Sequence, residues 1–152
     1  ESFAVSHDAQ EPVGFRFSSG HEGDLVAPRR SLAWLTDLGY APQNVREQLR
    51  ECDVVVVESN HCSDLLAADT KRPWSLKQRI SGRYGHLCND AAGALLRAID
   101  ASRLKHIVAA HLSQQNNTPA KARAALARAL ACAEDWIGIA DQASGFAWRA
   151  LA

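Results

Sequence analysis

The sequence predicts an α/β domain, because short apolar strands alternate along it with helical segments that are apolar on one side. Residues 53–57 are almost continuously valine, a pattern typical of a strand buried on both faces of a sheet that helices cover. With 47% hydrophobic residues in a chain of 152, there is ample material for one core. No repeat, low-complexity tract or linker divides the chain, so residues 1–152 are expected to form a single unit.

The strands are predicted from runs of apolar and β-branched residues that end in turn signals. These runs cover residues 3–6, 13–17, 32–36, 53–57, 105–110, 136–139 and 145–148. The polar segment 18–24 between the second and third runs is expected to form a turn.

Four helices are predicted. Pro42 is placed in the first turn of one, with Val45 and Leu49 spaced for one face, and residues 74–82 form a second. Asn89 is a suitable N-cap for a third helix. Thr118 followed by Pro119 is a strong helix start, and the alanine-rich fourth helix extends to residue 133.

Charge and apolar run length limit the partners. Seventeen basic and 17 acidic residues cancel, so any binding of nucleic acid or another anion must be local. The longest apolar runs are far below the roughly 20 residues needed to cross a bilayer, which predicts no membrane partner.

The four cysteines are scattered, form no C-x-x-C pair and fit a reducing cytoplasm. They are interpreted as small buried thiols, although His61, Cys62, His86 and Cys88 have the ligand types of a zinc site. The sequence contains no Met and opens directly into a strand-like stretch. We therefore expect a chain that lacks an amino-terminal portion.

Titratable residues follow several predicted strands directly. His7, Asp37, Glu58 and His111 each come at the end of an apolar run. Ligands gather at the carboxyl ends of strands in sheets flanked by helices, and histidine with aspartate suits zinc or manganese. Taken singly, Asp37 could start a turn with Gly39, and His111 could form a hydrogen bond to the backbone of a loop. Together, four titratable residues at strand ends favour a ligand-binding site.

Five motifs, together with the closing segments 140–142 and 145–149, resemble the bacterial YycJ (VicX) family of metallo-β-lactamase-fold hydrolases. The motifs are the segments 5–14, 35–39, 58–61, 84–87 and 110–119. The resemblance runs in order through essentially the whole chain. It implies the carboxy-terminal half of an αββα sandwich, whose amino-terminal half would carry an H-x-H-x-D-H signature that this sequence lacks.

The resemblance also implies roles for individual residues. His7, Asp37 and His111 correspond to metal ligands, with Asp37 bridging two divalent ions, Zn²⁺ or Mn²⁺. Glu58 and His86 correspond to catalytic motifs in which the histidine protonates the leaving oxygen and the carboxylate supports it. His86 is also compatible with an ordinary loop histidine ahead of the helix that begins near Asn89.

A basic run without acidic residues lies ahead of His86. Within it, Lys77, Arg79 and Arg83 are candidate substrate-binding residues for a phosphate backbone, and Trp74 or Tyr84 is available to stack a base. A solvated helix face is the plainer interpretation of the same run. His61 is equally compatible with substrate contact, with support of the site from behind, and with a helix start.

The function implied is a metal-dependent phosphodiester hydrolase: a DNA or RNA exonuclease, or a cyclic-phosphate phosphodiesterase. One alternative is a non-catalytic fragment or subunit that binds nucleic acid or completes a hydrolase only with a second chain. A thiolate-ester hydrolase on the same fold is disfavoured by the pair of Glu58 and His86. The expected partners are the nucleic acid or small phosphodiester and the missing amino-terminal segment, and a homodimer is left open.

Overall fold

A computed structural model describes residues 1–151. Its elements are the strands β1 (Ser2–Ala4), β2 (Val13–Ser19), β3 (Arg30–Leu35), β4 (Val54–Glu58), β5 (His106–Ala110) and β6 (Ile137–Ile139), and the helices α1 (Gln43–Leu49), α2 (Ser63–Ala68), α3 (Trp74–Ser81), α4 (Asn89–Arg97) and α5 (Pro119–Leu130), with a 3₁₀ turn at Glu134–Trp136. In these residues no helix has the length and apolar character needed to cross a membrane.

The six strands form one sheet in sequence order, β1-β2-β3-β4-β5-β6. The first two pairings are antiparallel and the other three are parallel. Strands β1, β3, β4 and β5 therefore point in the same direction. Their carboxyl ends lie along one edge of the sheet, which confirms the expectation of a mixed α/β fold with polar residues gathered at that edge.

The main core lies between one face of the sheet and the helices α1, α4 and α5. Val55 and Val57 of β4 point into it and are fully buried, as is Leu49 of α1. Burying such side chains contributes roughly 1.5–3 kcal/mol each, before the entropic cost of ordering them.

The other face of the sheet carries no helix among the described residues, which corrects the expectation that helices cover the sheet. Val54 and Val56 are nevertheless 8% and 6% exposed. The segment 145–151 lies against this face and, with the strands, lines an apolar groove. The valine-rich strand is thus buried on both sides, but one side is covered by irregular chain.

The predicted strand at residues 145–148 is wrong. The Asp141 carboxylate accepts hydrogen bonds from the amides of Ala143 and Ser144 and turns the chain. Gly145 then takes a positive φ of 71°, and Phe146 packs so closely on Gly138 that a side chain there would clash. The chain crosses the sheet instead of extending its edge.

Smaller corrections concern element ends. The predicted strand 3–6 is Ser2–Ala4, and Trp136 belongs to the 3₁₀ turn, not to β6. The cap of α4 is Cys88, whose sulfur accepts from the amide of Ala91, and Asn89 is the first helical residue. Pro42 is the N-cap of α1. Helix α2 was not predicted, because its six residues contain no full apolar repeat.

Candidate metal centre and active site

The strands β1, β3, β4 and β5 run in the same direction, and a titratable side chain lies at or just after the end of each. These side chains therefore lie at the same edge of the sheet. Glu58 is the last residue of β4, and Asp37 and His111 follow β3 and β5 within two residues. His7 follows β1, and its segment is held beside the loop after β3 because the amide of Gly39 donates to the carbonyl of Ser6 at 2.8 Å. Parallel strand direction thus produces the predicted convergence.

Asp37 and His111 adopt left-handed backbone conformations, with φ of 59° and 55°. Few residues other than glycine do so, and such strain concentrates at functional sites. The conformation of His111 is held from the neighbouring loop, since Nδ2 of Asn60 donates to its carbonyl at 2.9 Å.

Glu58 is the centre of the cluster and is fully buried. Its Oε2 accepts from the amides of Leu38 at 3.1 Å and Leu87 at 3.0 Å. Its Oε1 lies 2.6 Å from Nδ1 of His111 and 2.9 Å from Nδ1 of His86. Burial alone would raise the pKa of this carboxyl, but the hydrogen bonds from His111, His86 and the Leu87 amide lower the pKa to about 2.

The hydrogen bonds fix how each imidazole presents its second nitrogen. A carbonyl oxygen only accepts, so Nδ1 of His7, 2.9 Å from the carbonyl of Gly85, carries a proton and leaves Nε2 free. Nδ1 of His86 and of His111 face Glu58 in the same way. Orientation of a ligand imidazole by a carboxylate or carbonyl is the usual arrangement around metal ions.

The pKa of His111 is raised, first by its hydrogen bond to Glu58, with burial opposing and the charges of Glu58 and Asp37 assisting. Metal binding requires the neutral imidazole, so a cation at His111 would have to displace a proton that this environment favours.

Asp37 lies among the three imidazoles. Its Oδ1 is 3.7 Å from Nε2 of His7, 3.8 Å from Nδ1 of His86 and 3.7 Å from Nδ1 of His111. The separation from the free Nε2 of His7 exceeds a hydrogen bond but is shorter than two metal–ligand bonds of about 2.0–2.2 Å each. The carboxylate is 45% exposed, so it faces the open side of the site.

Ligand-capable atoms of Asp37, Glu58, His86 and His111 all lie within 4.8 Å of one another. Carboxylate and imidazole donors together fit zinc or manganese. This group contains candidate metal ligands and His7 offers a further nitrogen through Nε2, but both oxygens of Glu58 already accept hydrogen bonds within the chain. The alternative zinc group of His61, Cys62, His86 and Cys88 does not form among residues 1–151, where all four cysteines are free.

Two clefts flank the cluster and share His7. One, of about 540 Å³, is lined by His7, Asp37, His86 and His111 together with Arg72 and residues of α3. The other, of about 700 Å³, contains Arg79, Arg83 and Tyr84. The site is thus an open groove and not a closed pocket.

Of the three candidate substrate-binding residues in the basic run, two line the larger cleft and one does not. Arg79 pairs with Asp8 at 2.8 Å, and Arg83 donates to the Tyr40 hydroxyl at 2.7 Å; both line the larger cleft. Nζ of Lys77 instead donates to the carbonyl of Ala67 at 2.7 Å and ties α3 to α2.

His61 is 2% exposed, and its Nδ1 has no hydrogen-bond partner among the described residues. Burial, and next the charge of His86, lowers its pKa, while Glu58 opposes the shift. Of the three interpretations left open by the sequence, this burial favours support of the site from behind over direct contact with substrate.

Several buried polar side chains were missed by sequence reasoning. Asn89 and Asn117 exchange hydrogen bonds through their side-chain amides at 2.9 and 2.8 Å. Asn117 also donates to the carbonyls of Ser59 and Asn60. This network joins the loops after β4 and β5, which carry the site. The adjacent asparagines 116 and 117 before a strong helix start were the available signal.

No family model matches the chain. It is 36% identical over 130 residues to exodeoxyribonuclease YycJ of Bacillus anthracis, covering 86% of this chain and 46% of that protein. It is 35% identical over 140 residues to exodeoxyribonuclease WalJ of Streptococcus pneumoniae R6, covering 91% of this chain and 48% of that protein. The chain spans about half the length of these relatives.

The fold and the comparisons agree on the class of protein: a mixed α/β half of the kind that forms a metallo-β-lactamase sandwich. Within that class the resemblance predicted from the motifs is confirmed. The chain is YycJ-like over most of its length, consistent with the carboxy-terminal portion of such a protein.

Proposed function

We propose that this chain forms part of the active site of a metal-dependent phosphodiester hydrolase that acts on nucleic acid. The observation that carries the proposal is the cluster of His7, Asp37, His86 and His111 around the buried carboxylate of Glu58. The relatives are named exodeoxyribonucleases, which favours DNA over RNA and small cyclic phosphates. Because the chain spans about half of them, the activity is proposed for the full-length protein.

His7, Asp37 and His111 would hold two divalent cations in part, with further ligands from outside this chain. The carboxylate of Asp37 accepts no hydrogen bond from residues 1–151 and keeps both oxygens available, as a bridging ligand requires. Bound there, Zn²⁺ or Mn²⁺ would polarise a phosphoryl oxygen and activate water for attack on phosphorus.

His86 would protonate the departing oxygen. Its Nδ1 is 2.9 Å from Oε1 of Glu58, and its ring lines the cleft beside Asp37. The carboxylate accepts a hydrogen bond from Nδ1 and fixes the ring, so Nε2 is available to a substrate atom. Glu58 would thus support the proton donor and the neighbouring ligand His111 with one oxygen.

The substitution Asp37→Ala tests the assignment in the full-length protein. It removes the ligand between the imidazoles, so metal content and hydrolysis of a labelled oligodeoxynucleotide should both be lost. Asp135→Ala, which removes an exposed aspartate from the 3₁₀ turn, is the matched control and should change neither. Normal metal content and turnover in Asp37→Ala would show that the site lies elsewhere.

A further inference from the structure

Arg72 lies just before α3 and lines the cleft that contains His7, Asp37, His86 and His111. It belongs to the basic run but was not among the candidate substrate-binding residues. Of the described residues that line this cleft, it is the one lysine or arginine. The cleft otherwise presents histidine, aspartate and neutral side chains.

The guanidinium of Arg72 is held in place by three side chains. Its Nε donates to Oδ1 of Asn116 at 2.9 Å and lies 3.2 Å from the Asp69 carboxylate. Its Nη2 donates to Oε1 of Gln115 at 2.8 Å. Two of these partners are also bonded to each other, because Nδ2 of Asn116 donates to the Asp69 carboxylate at 2.9 Å. Asn116 is 3% exposed.

This arrangement differs from an ordinary surface ion pair. An exposed pair leaves a flexible side chain that must be ordered when a ligand binds, whereas Arg72 is already ordered and its side chain is 25% exposed. Nη1 donates no hydrogen bond within the described part of the chain, so the outer edge of the planar group is available. Such an edge matches the oxygens of a phosphate.

Asp69 compensates the charge of Arg72, so the site does not attract anions from a distance. Its contribution is directional hydrogen bonding at short range. Arg79 and Arg83 line the second cleft, which shares His7 with the first. Each of the two clefts that share His7 is thus lined by arginine.

We propose that Arg72 binds a phosphate group of the nucleic-acid strand in the cleft that contains the metal centre, next to the cleft that Arg79 and Arg83 line. The proposal rests on the proposed function for the identity of the ligand. It adds that the strand lies along both clefts with an arginine contact in each, and that the contact made by Arg72 is independent of sequence because it is made to the backbone.

The test measures binding without turnover. The full-length protein in excess chelator is titrated against a fluorescein-labelled single-stranded oligodeoxynucleotide at several salt concentrations. Arg72→Ala should weaken binding about tenfold, the loss expected for one charged hydrogen-bonded contact. The slope of log K against log salt should become shallower by up to about 0.7, the value for one fully neutralised phosphate on a single strand, because Asp69 offsets part of the charge of Arg72.

Arg128→Ala is the matched control. It removes an arginine whose ion pair with Asp90, at 3.3 Å, is exposed between α4 and α5. Affinity and salt slope should stay as in the wild type.

If Arg72→Ala lowers the melting temperature, Arg72→Lys serves instead. The lysine can still pair with Asp69, but the variant should bind the oligodeoxynucleotide more weakly than the wild type, because lysine lacks the planar fork.

Strands with a 5′ phosphate and a 5′ hydroxyl separate two sources of the phosphate. A larger loss on the phosphorylated strand places Arg72 on the terminal monoester, and equal losses place it on an internal diester.

Unchanged affinity and slope in Arg72→Ala, or an equal loss in Arg128→Ala, would overturn the proposal. Failure of the proposed function would look different: the wild type with Mn²⁺ or Zn²⁺ restored would hydrolyse neither strand.

Discussion

Asp37 and His111 show how the site depends on individual backbone conformations. A left-handed residue other than glycine costs roughly 1–2 kcal/mol, and the cost recurs at both positions. At His111 the hydrogen bond from Asn60 offsets part of it. The conformation turns each side chain back over the strand ends, where Asp37 meets three imidazoles. The strain is therefore part of how the site is assembled.

His86 is expected to act through proton transfer, so its replacement should separate rate from metal content. His86→Ala in the full-length protein should retain the metal and lower kcat by about 10²–10⁴-fold. The loss should be large on DNA and small on bis(p-nitrophenyl) phosphate, since nitrophenolate departs without protonation. Metal analysis and parallel kinetics on both substrates make the measurement. Equal losses would indicate a binding or structural role, and loss of metal would make His86 a ligand.

Glu58→Gln should show the same substrate selectivity together with a weaker metal affinity. The neutral amide is a weaker hydrogen-bond acceptor for Nδ1 of His86, and it also weakens the orientation of His111, which shares the same oxygen. Titration with Zn²⁺ alongside the two kinetic assays separates the effects. A variant with unchanged metal affinity would show that His111 does not depend on Glu58.

The convergence of the site residues could be predicted because it depends on strand direction alone. A run of valine ending in Glu58 and an apolar run ending in His111 point to one edge wherever those strands are parallel. The sharing of Oε1 by two imidazoles could not be predicted. This sharing depends on the positions of the side chains. Those positions result from the register of the strands and from the residues with left-handed backbone conformations, and neither feature produces a periodic pattern in the sequence. Arg72 was missed for a related reason, since two of its three partners, Gln115 and Asn116, lie more than 40 positions away.

Helix α5 illustrates which elements the sequence specifies. Thr118 accepts a hydrogen bond from the amide of Lys121, and Pro119 occupies the first turn, as predicted. Its end was placed too late, because alanine continues past Leu130 although the helix stops there. Composition gave no stop signal, since Ala131 takes the left-handed position usually occupied by glycine.

Ala131 should therefore be a site of simple stabilisation. Ala131→Gly removes the strain of φ 52° and should raise the free energy of unfolding by up to about 1 kcal/mol. Ala124→Gly, in the interior of the same helix, is the control and should lower it by about 1 kcal/mol. Melting temperatures of the two variants should move in opposite directions. A decrease in both would mean that the end of α5 differs from the one described.

At the scale of the whole molecule, helices cover one face of the sheet, and residues 145–151 cover the other face only in part, which leaves that face open at β2 and β3. Phe15, Phe17 and Trp34 lie on the open face and are 42%, 58% and 47% exposed. A continuous apolar surface of this kind marks an interface. We propose that a second sheet of the full-length protein packs there and contributes the remaining metal ligands.

The isolated chain of 152 residues should accordingly bind metal weakly and be inactive. His7, Asp37 and His111 cannot complete the coordination of two catalytic ions by themselves. Metal analysis after dialysis and an assay with bis(p-nitrophenyl) phosphate make the test. Stoichiometric zinc or manganese with turnover would show that this chain contains a complete site.

The open face makes a separate prediction that does not depend on catalysis. The double substitution Phe17→Ser and Trp34→Ser should lower the melting temperature of the full-length protein, since removing large buried aromatic side chains costs about 3–5 kcal/mol each. In the isolated chain the same change should reduce self-association and leave the melting temperature nearly unchanged, because these side chains are already half exposed. Trp74→Ser, at a side chain of α3 that is 71% exposed, should have little effect in either form. Equal destabilisation of both forms would mean that these aromatic residues pack within this chain and not against a second sheet.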